Sequence, residues 1–173
     1  MSSHKPTYAL TKIRTGMGDK GTTFFRGHTS YPKHHLNIEY LGALDHIQSM
    51  ADFPSLVQDT VFVLGAHHHS PNSEEYENKV NAIIEDLITA IENLVDISPP
   101  LKGFVRTTTQ NRPLMELRAI VRKTELLACK LFHVHGELHV TQHIKVLNLL
   151  SDFIFLYMLQ LYPPGDTWNG IAP

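Results

Sequence analysis

The stretch Asn72-Ser-Glu-Glu-Tyr-Glu-Asn-Lys-Val-Asn-Ala-Ile-Ile-Glu-Asp-Leu-Ile-Thr-Ala-Ile-Glu-Asn-Leu-Val-Asp-Ile-Ser98 decides the fold class. Its apolar residues Val80, Ile83, Ile84, Leu87, Ile91 and Leu94 follow one another at 3, 1, 3, 4 and 3 residues. That spacing puts them on a single stripe of an α-helix, because 3.6 residues complete each turn. Asn72 precedes Glu75 by three residues, a capping-box-like start. Ser98-Pro-Pro stops the helix, since proline lacks an N–H and clashes with the preceding turn.

The same period extends to both sides. Towards the N-terminus, Ile38, Leu41, Leu44 and Ile47 predict a helix near 36–50. Leu56, Val57, Val61, Phe62 and Leu64 predict a second near 54–67. Towards the C-terminus, a linker runs from Leu101 to Arg112, and Pro113 suits the first turn of a helix that ends before Gly136. A last helix is expected over about 138–161, ended by Pro163-Pro164. Strand signals are nearly absent. The expectation is an all-α, up-and-down five-helix bundle in a single domain, 1–173. Residues 1–34 form a loop-like segment, 35–162 the bundle and 163–173 a tail. The last helix is apolar on several faces, so it is either central in the bundle or shared with another subunit.

Composition narrows the function classes. Apolar residues make up 42% and charged residues 18%, which is globular and not disordered. A net charge of −2 supplies no basic field for nucleic acid. Met1-Ser-Ser-His-Lys-Pro has no signal-like apolar core, and the run Phe153–Leu159 is too short to span a bilayer. A lone cysteine, Cys129, suits a reducing compartment and is expected to fill a core position. A cytoplasmic protein with no membrane partner is expected.

Four groups of residues have the chemistry for a site. The segment Arg14-Thr-Gly-Met-Gly-Asp-Lys-Gly-Thr-Thr23 combines glycines, hydroxyls and a lysine, the makings of a phosphate cradle. It lacks the Lys-Ser/Thr ending of a P-loop, and a flexible surface turn is the alternative. Arg118, Arg122 and Glu125 share one helix face with Lys123 beside them, either to grip phosphate or as a solvated, ion-paired surface. Asn148, Ser151 and Asp152 interrupt an apolar helix, as a hydrogen-bond network or a ligand contact. The histidines at 67–69, 133, 135, 139 and 143 suggest a metal-binding bundle, but no Glu-x-x-His pair and no neighbouring cysteines accompany them. Surface histidines at helix ends are the favoured reading, and no protein metal ligand is assigned.

The order of these pieces resembles the PduO-type ATP:corrinoid adenosyltransferases over about residues 11–160. That family shows a Thr-Gly-Asp-x-Gly-Thr-Thr loop, a lysine, and Arg-Val-Glu-Ala-x-Gly-x-x-Asp-Glu-Leu-Asn-Ser. A phenylalanine, an Arg-x-x-x-Arg-Arg-x-Glu helix and Leu-Asn-Arg-Leu-Ser-Asp follow. This chain has Thr15 to Thr23, Lys33, Asn37 to Ser49, Phe104, Arg118-Ala-Ile-Val-Arg-Lys-Thr-Glu125 and Leu147-Asn-Leu-Leu-Ser-Asp152 in the same order.

The resemblance implies a cobalamin adenosyltransferase-like bundle that moves the 5′-deoxyadenosyl group of ATP, taken with Mg²⁺, onto the cobalt of reduced cobalamin and releases triphosphate. It implies ATP contacts at Arg14, Thr15, Gly16, Asp19, Lys20, Gly21, Thr22, Thr23, Lys33, Arg122, Lys123, Glu125 and Asn148. Arg122 and Phe104 take the catalytic roles, and Phe104 lies under the corrin ring. Asp45 and Arg118 form a salt bridge between subunits of a homotrimer. A reductase and an adenosylcobalamin-dependent enzyme are the implied partners. Several positions depart from the family: Met17 and Gly18 are inserted, and Asn37, His46, Lys123 and Leu149 replace expected residues. Those departures leave a second reading, a non-catalytic ATP- or corrinoid-binding protein derived from the family.

Overall fold

A computed structural model describes residues 18–27, 29–50, 54–98, 100–101, 103–164 and 167–168. Five helices dominate: α1 (Leu36–Ser49), α2 (Ser55–His69), α3 (Glu74–Ile97), α4 (Arg112–His135) and α5 (Val140–Leu161). They close a ring in which α1 touches α2 and α4, α3 joins α2 to α5, and α5 lies along α4. The stripe that decided the fold faces this ring. Val80, Ile83, Ile84 and Leu87 are buried, against Leu117, Val121, Leu131, Leu147, Leu150 and Ile154 from α4 and α5 among others. The helical bundle is therefore as expected.

The helix ends show which local signals operate. The N-cap of α3 is Ser73, with no side-chain cap bond, one residue past the Asn72 start that the sequence suggested. Glu74, Glu75 and Glu77 in the first turn complement the helix dipole in place of that bond. Pro113 occupies the first turn of α4, and Gly136 closes that helix at φ 64, a conformation glycine adopts without steric cost.

Strands are more evident than the sequence suggests. The segment before α1 holds an antiparallel hairpin, β1 (Thr22–Phe25) with β2 (Thr29–Pro32). Both strands are β-branched and aromatic but only four residues long, too short to display a period of two. A second pair, β3 (Phe104–Val105) with β4 (Thr167–Trp168), ties the α3–α4 linker to the C-terminal tail.

Helix α5 has 22 residues at a mean hydropathy of 1.5, enough by length and composition to cross a bilayer. It is the core helix here: Val140, Val146, Leu147, Leu150, Ile154, Met158 and Leu159 are buried within the bundle. Cys129 departs from expectation. It is half-buried on α4, not a core residue, and burial followed by the Glu125 charge raises its pKa.

Candidate functional site

The hairpin positions the glycine loop. Gly21 adopts φ 75 and its N–H donates to the Gly18 carbonyl at 3.2 Å, turning the chain into β1. The Lys33 N–H donates to the Gly21 carbonyl at 2.8 Å, closing the hairpin base. Lys33 then folds back over the loop: a Cβ on Gly18 would lie 2.9 Å from Lys33 Nζ. The inserted Gly18 thus gives the Lys33 ammonium its place. Asp19, Lys20, Gly21 and Lys33 are exposed, and Thr22 and Thr23 are half-buried. Arg14, Thr15, Gly16 and the inserted Met17 lie outside the described residues.

A second group forms on α4. Arg118, Arg122, Lys123 and Glu125 line a surface hollow of about 520 Å³ with Met115 and Leu126. Arg122 and Lys123 are exposed, and no ion pair joins Arg122 to Glu125 among the described residues. The face is therefore solvated, as one reading expected, but no ion pair laces it among the described residues. Arg118 is half-buried, with its guanidinium 5.0 Å from the Phe155 ring centre and its Nε without a partner. Burial and then the Arg122 charge lower its pKa, while Asp152 opposes them.

The remaining expected residues are spread out. Asn148 and Asp152 are exposed on α5, and only Ser151 is buried, its Oγ without a partner. The polar notch is thus split between two faces of the helix. Asp45 lies exposed on α1 beside a groove with Phe62, and no pair with Arg118 forms within the chain among the described residues. Phe104 is 74% exposed on β3.

Four of the histidines contradict the surface reading, while His69, His133 and His135 are exposed at helix ends as expected. His67, His68 and His143 are buried, and His139 is half-buried among them. His67 Nδ1 meets His143 Nε2 at 3.0 Å, and His143 Nδ1 meets the Tyr40 hydroxyl at 3.0 Å. His68 Nδ1 meets His139 Nε2 at 2.9 Å. Burial lowers the pKa of all four imidazoles, that of His68 to about 2 and that of His139 to about 4. Neutral rings are what let the nitrogens meet, one donating and the other accepting. Among the described residues, no group of three or more His, Cys, Asp or Glu is set to hold a metal ion.

Sequence reasoning also missed Arg26. Its guanidinium grips both oxygens of Glu137 at 2.9 and 3.0 Å, and its Nε donates to the His68 carbonyl at 3.0 Å. The available signal was a histidine triplet and a later i, i+4 pair on two helices that the bundle brings end to end.

With the geometry in place, a family model described as cobalamin adenosyltransferase matches residues 13–161. The chain belongs to this family. No curated protein matches significantly. Among solved structures, the chain is similar to a phenylalanine-to-alanine variant of the PduO-type ATP:corrinoid adenosyltransferase from Lactobacillus reuteri, complexed with cobalamin and ATP. The TM-score is 0.69 at 22% identity, over 85% of this chain and 91% of that one. It is also similar to an arginine-to-lysine variant of an adenosyltransferase from the same organism, complexed with ATP. There the TM-score is 0.70 at 21% identity, over 86% and 93% of the two chains. At these identities the likeness establishes the fold.

Proposed function

We propose that this member of the family transfers the 5′-deoxyadenosyl group of ATP to the cobalt of reduced cobalamin. The observation that carries the reading is the row of Arg122 and Lys123 on α4, left open to solvent above a hollow and neutralised by no carboxylate among the described residues. Uncommitted cations on a rigid helix suit a triphosphate, because guanidinium oriented in advance stabilises charge without reorganising.

Cobalt in the +1 state donates an electron pair to the 5′ carbon of ATP. A cobalt–carbon bond forms, the carbon–oxygen bond breaks, and triphosphate leaves with that bond's electrons. Charge grows on the departing oxygen, and Arg122 offsets it, with Lys123, Lys20 and Lys33 drawing the phosphates into place. The amides of the Asp19–Thr23 turn provide further donors. Glu125 and Asn148 offer hydrogen bonds to the polar nucleoside. Mg²⁺ travels with the triphosphate as part of the substrate.

Phe104 is the candidate for the corrin face. An apolar ring there excludes a lower axial ligand from cobalt and so eases its reduction. Its exposure of 74% leaves room for such a flat substrate. A homotrimer is the assembly that the family resemblance supports, with Asp45 and Arg118 as its salt bridge between subunits. An electron-donating reductase and an enzyme that consumes adenosylcobalamin are the partners this chemistry requires. The need for cobalt(I) and the lone Cys129 favour a reducing, cytoplasmic setting.

The test is anaerobic. Protein, chemically reduced cob(I)alamin and MgATP are mixed, and the visible spectrum is followed for adenosylcobalamin. Catalytic product is expected. Bound ATP or cobalamin with no product would replace the enzyme by a binding protein on the same fold, the reading that Leu149 and the altered loop motivate.

A further inference from the structure

Arg26 stands at the hairpin corner between β1 and β2 with φ 50, and it is the one non-glycine residue with positive φ among the described residues. Left-handed backbone costs an arginine on the order of 1 kcal/mol and persists where its surroundings hold it. Here they do. The two-pronged contact to Glu137 and the bond to the His68 carbonyl join the hairpin to the end of α2 and to the α4–α5 corner. Asn37 of α1 donates to the same Glu137 oxygen at 3.4 Å. Phe25 beside it is buried, with ring centres 5.1 Å from His68 and 4.9 Å from His69.

We propose that Arg26 and Glu137 are positioning residues that clamp the hairpin carrying Asp19–Thr23 and Lys33, and that the histidine cluster below makes the clamp sensitive to protons. The clamping rests on geometry alone. Its consequence for ATP rests on the reading of that loop as a nucleotide site.

The proton sensitivity follows from how His139 is placed. Its Nε2 faces two donors, His68 Nδ1 at 2.9 Å and Arg26 Nη2 at 3.4 Å. Its Nδ1 lies 3.5 Å from Glu137 Oε2. A neutral ring accepts at Nε2. A proton arriving there sets N–H against N–H, places a second cation beside Arg26, and lets His139 compete for Glu137. Each change weakens the Arg26–Glu137 grip.

Groups from every packed element face this point: Arg26 from the hairpin, Tyr40 from α1, His67, His68 and His69 from α2, Glu77 from α3, Glu137 from the α4–α5 corner and His143 from α5. Glu137 stays ionised: burial pushes its pKa up, but the Arg26 hydrogen bond and charge outweigh that. Solvent reaches the cluster through a cleft of about 500 Å³ lined by His67, Glu77, Glu137, His139 and Gln142.

The sign is fixed by linkage. An imidazole neutral in the clamped state and free to titrate near 6.5 when released favours the clamp above pH 6.5. That preference falls as pH drops towards the clamped value, by up to about tenfold per pH unit for one group.

Hydrogen exchange across the hairpin, residues 22–32, is the measurement, with α3 as internal reference and intrinsic rates corrected. Wild type should lose about tenfold in hairpin protection between pH 7.5 and 5.5, through local openings that, unlike the global openings exposing α3, do not depend on denaturant. Glu137→Gln should lose hairpin protection already at pH 7.5, and Arg26→Lys, which keeps charge but not the fork, should lose less. His139→Gln should stay protected and lose the pH dependence. Unchanged protection in Glu137→Gln overturns the clamp, as does hairpin exchange that proceeds only through the denaturant-dependent global opening seen in α3. A full pH drop in His139→Gln overturns the proton sensitivity. MgATP affinity is measured alongside and should weaken as hairpin protection falls. Normal exchange results with no MgATP binding to wild type at pH 7.5 would uphold the clamp and overturn the nucleotide reading instead.

Discussion

Two regions of the bundle, the α2–α5 junction and the face of α4, treat polar groups in opposite ways. Where α2 ends and α5 begins, beside Tyr40 of α1, His67, His68 and His143 are buried with His139 half-buried among them, and these groups meet one another at 2.9–3.0 Å. Along the first half of α4, Arg122 and Lys123 are exposed and in no ion pair among the described residues, beside Arg118 whose Nε has no partner. Burial forces polar groups to satisfy one another, and of the buried atoms in the first region only His68 Nε2 is left without a partner, so that region contributes to structure. The second carries charge for which the fold has no internal use. Function is therefore sought where the fold leaves charge open, and stability where it closes polar groups on themselves.

This contrast can be broken at either end. The largest effect is expected at the open end: Arg122→Ala should lower turnover about 10²–10³-fold, as loss of one oriented donor to a developing anion does elsewhere. Its urea midpoint should stay close to that of wild type. Unchanged kcat would remove Arg122 from the chemistry, and a large midpoint shift would make it structural.

The closed end should respond in stability. His143→Ala leaves the Tyr40 hydroxyl and His67 Nδ1 without their partner and opens a void, at a cost of about 3 kcal/mol in urea unfolding. A cost near zero would mean that the cluster is not a satisfied network.

Acid should act on the same end. His68 and His139, with pKa values near 2 and 4, are neutral when folded and charge near 6.5 when unfolded. Their contribution is complete above pH 6.5 and is lost as pH falls. At pH 5.5 that amounts to about 1 kcal/mol for each imidazole that stays neutral. Stability that rises on acidification over this range would contradict the burial of neutral rings.

The smallest structural effect belongs to Phe104→Ala. Its ring is largely exposed, so folding should barely change. Activity should persist with preformed cob(I)alamin and fall when cob(II)alamin must be reduced on the protein. Equal loss in both assays would refute its role at the axial face.

Helix stripes were legible because burial of a helix face imposes a period that survives in one dimension, as Val80 to Leu87 shows. The α4 face was legible for the same reason, since Arg118, Arg122 and Glu125 sit at i, i+4 and i+7. The histidine network was not. His67 and His143 are separated by 76 residues, and only the bundle brings them together. Their polarity at helix ends resembled a solvated surface. Arg26 and Glu137, 111 residues apart, carried even less signal. The hairpin escaped notice because four-residue strands show no period.

The central claim is that ATP is cleaved at its 5′ carbon by cobalt. Its most direct measurement counts products from one anaerobic reaction of the protein with cob(I)alamin and MgATP. One triphosphate should appear for each adenosylcobalamin, and neither should appear without cobalt(I). ADP and phosphate in their place, or ATP bound and left intact, would contradict the account.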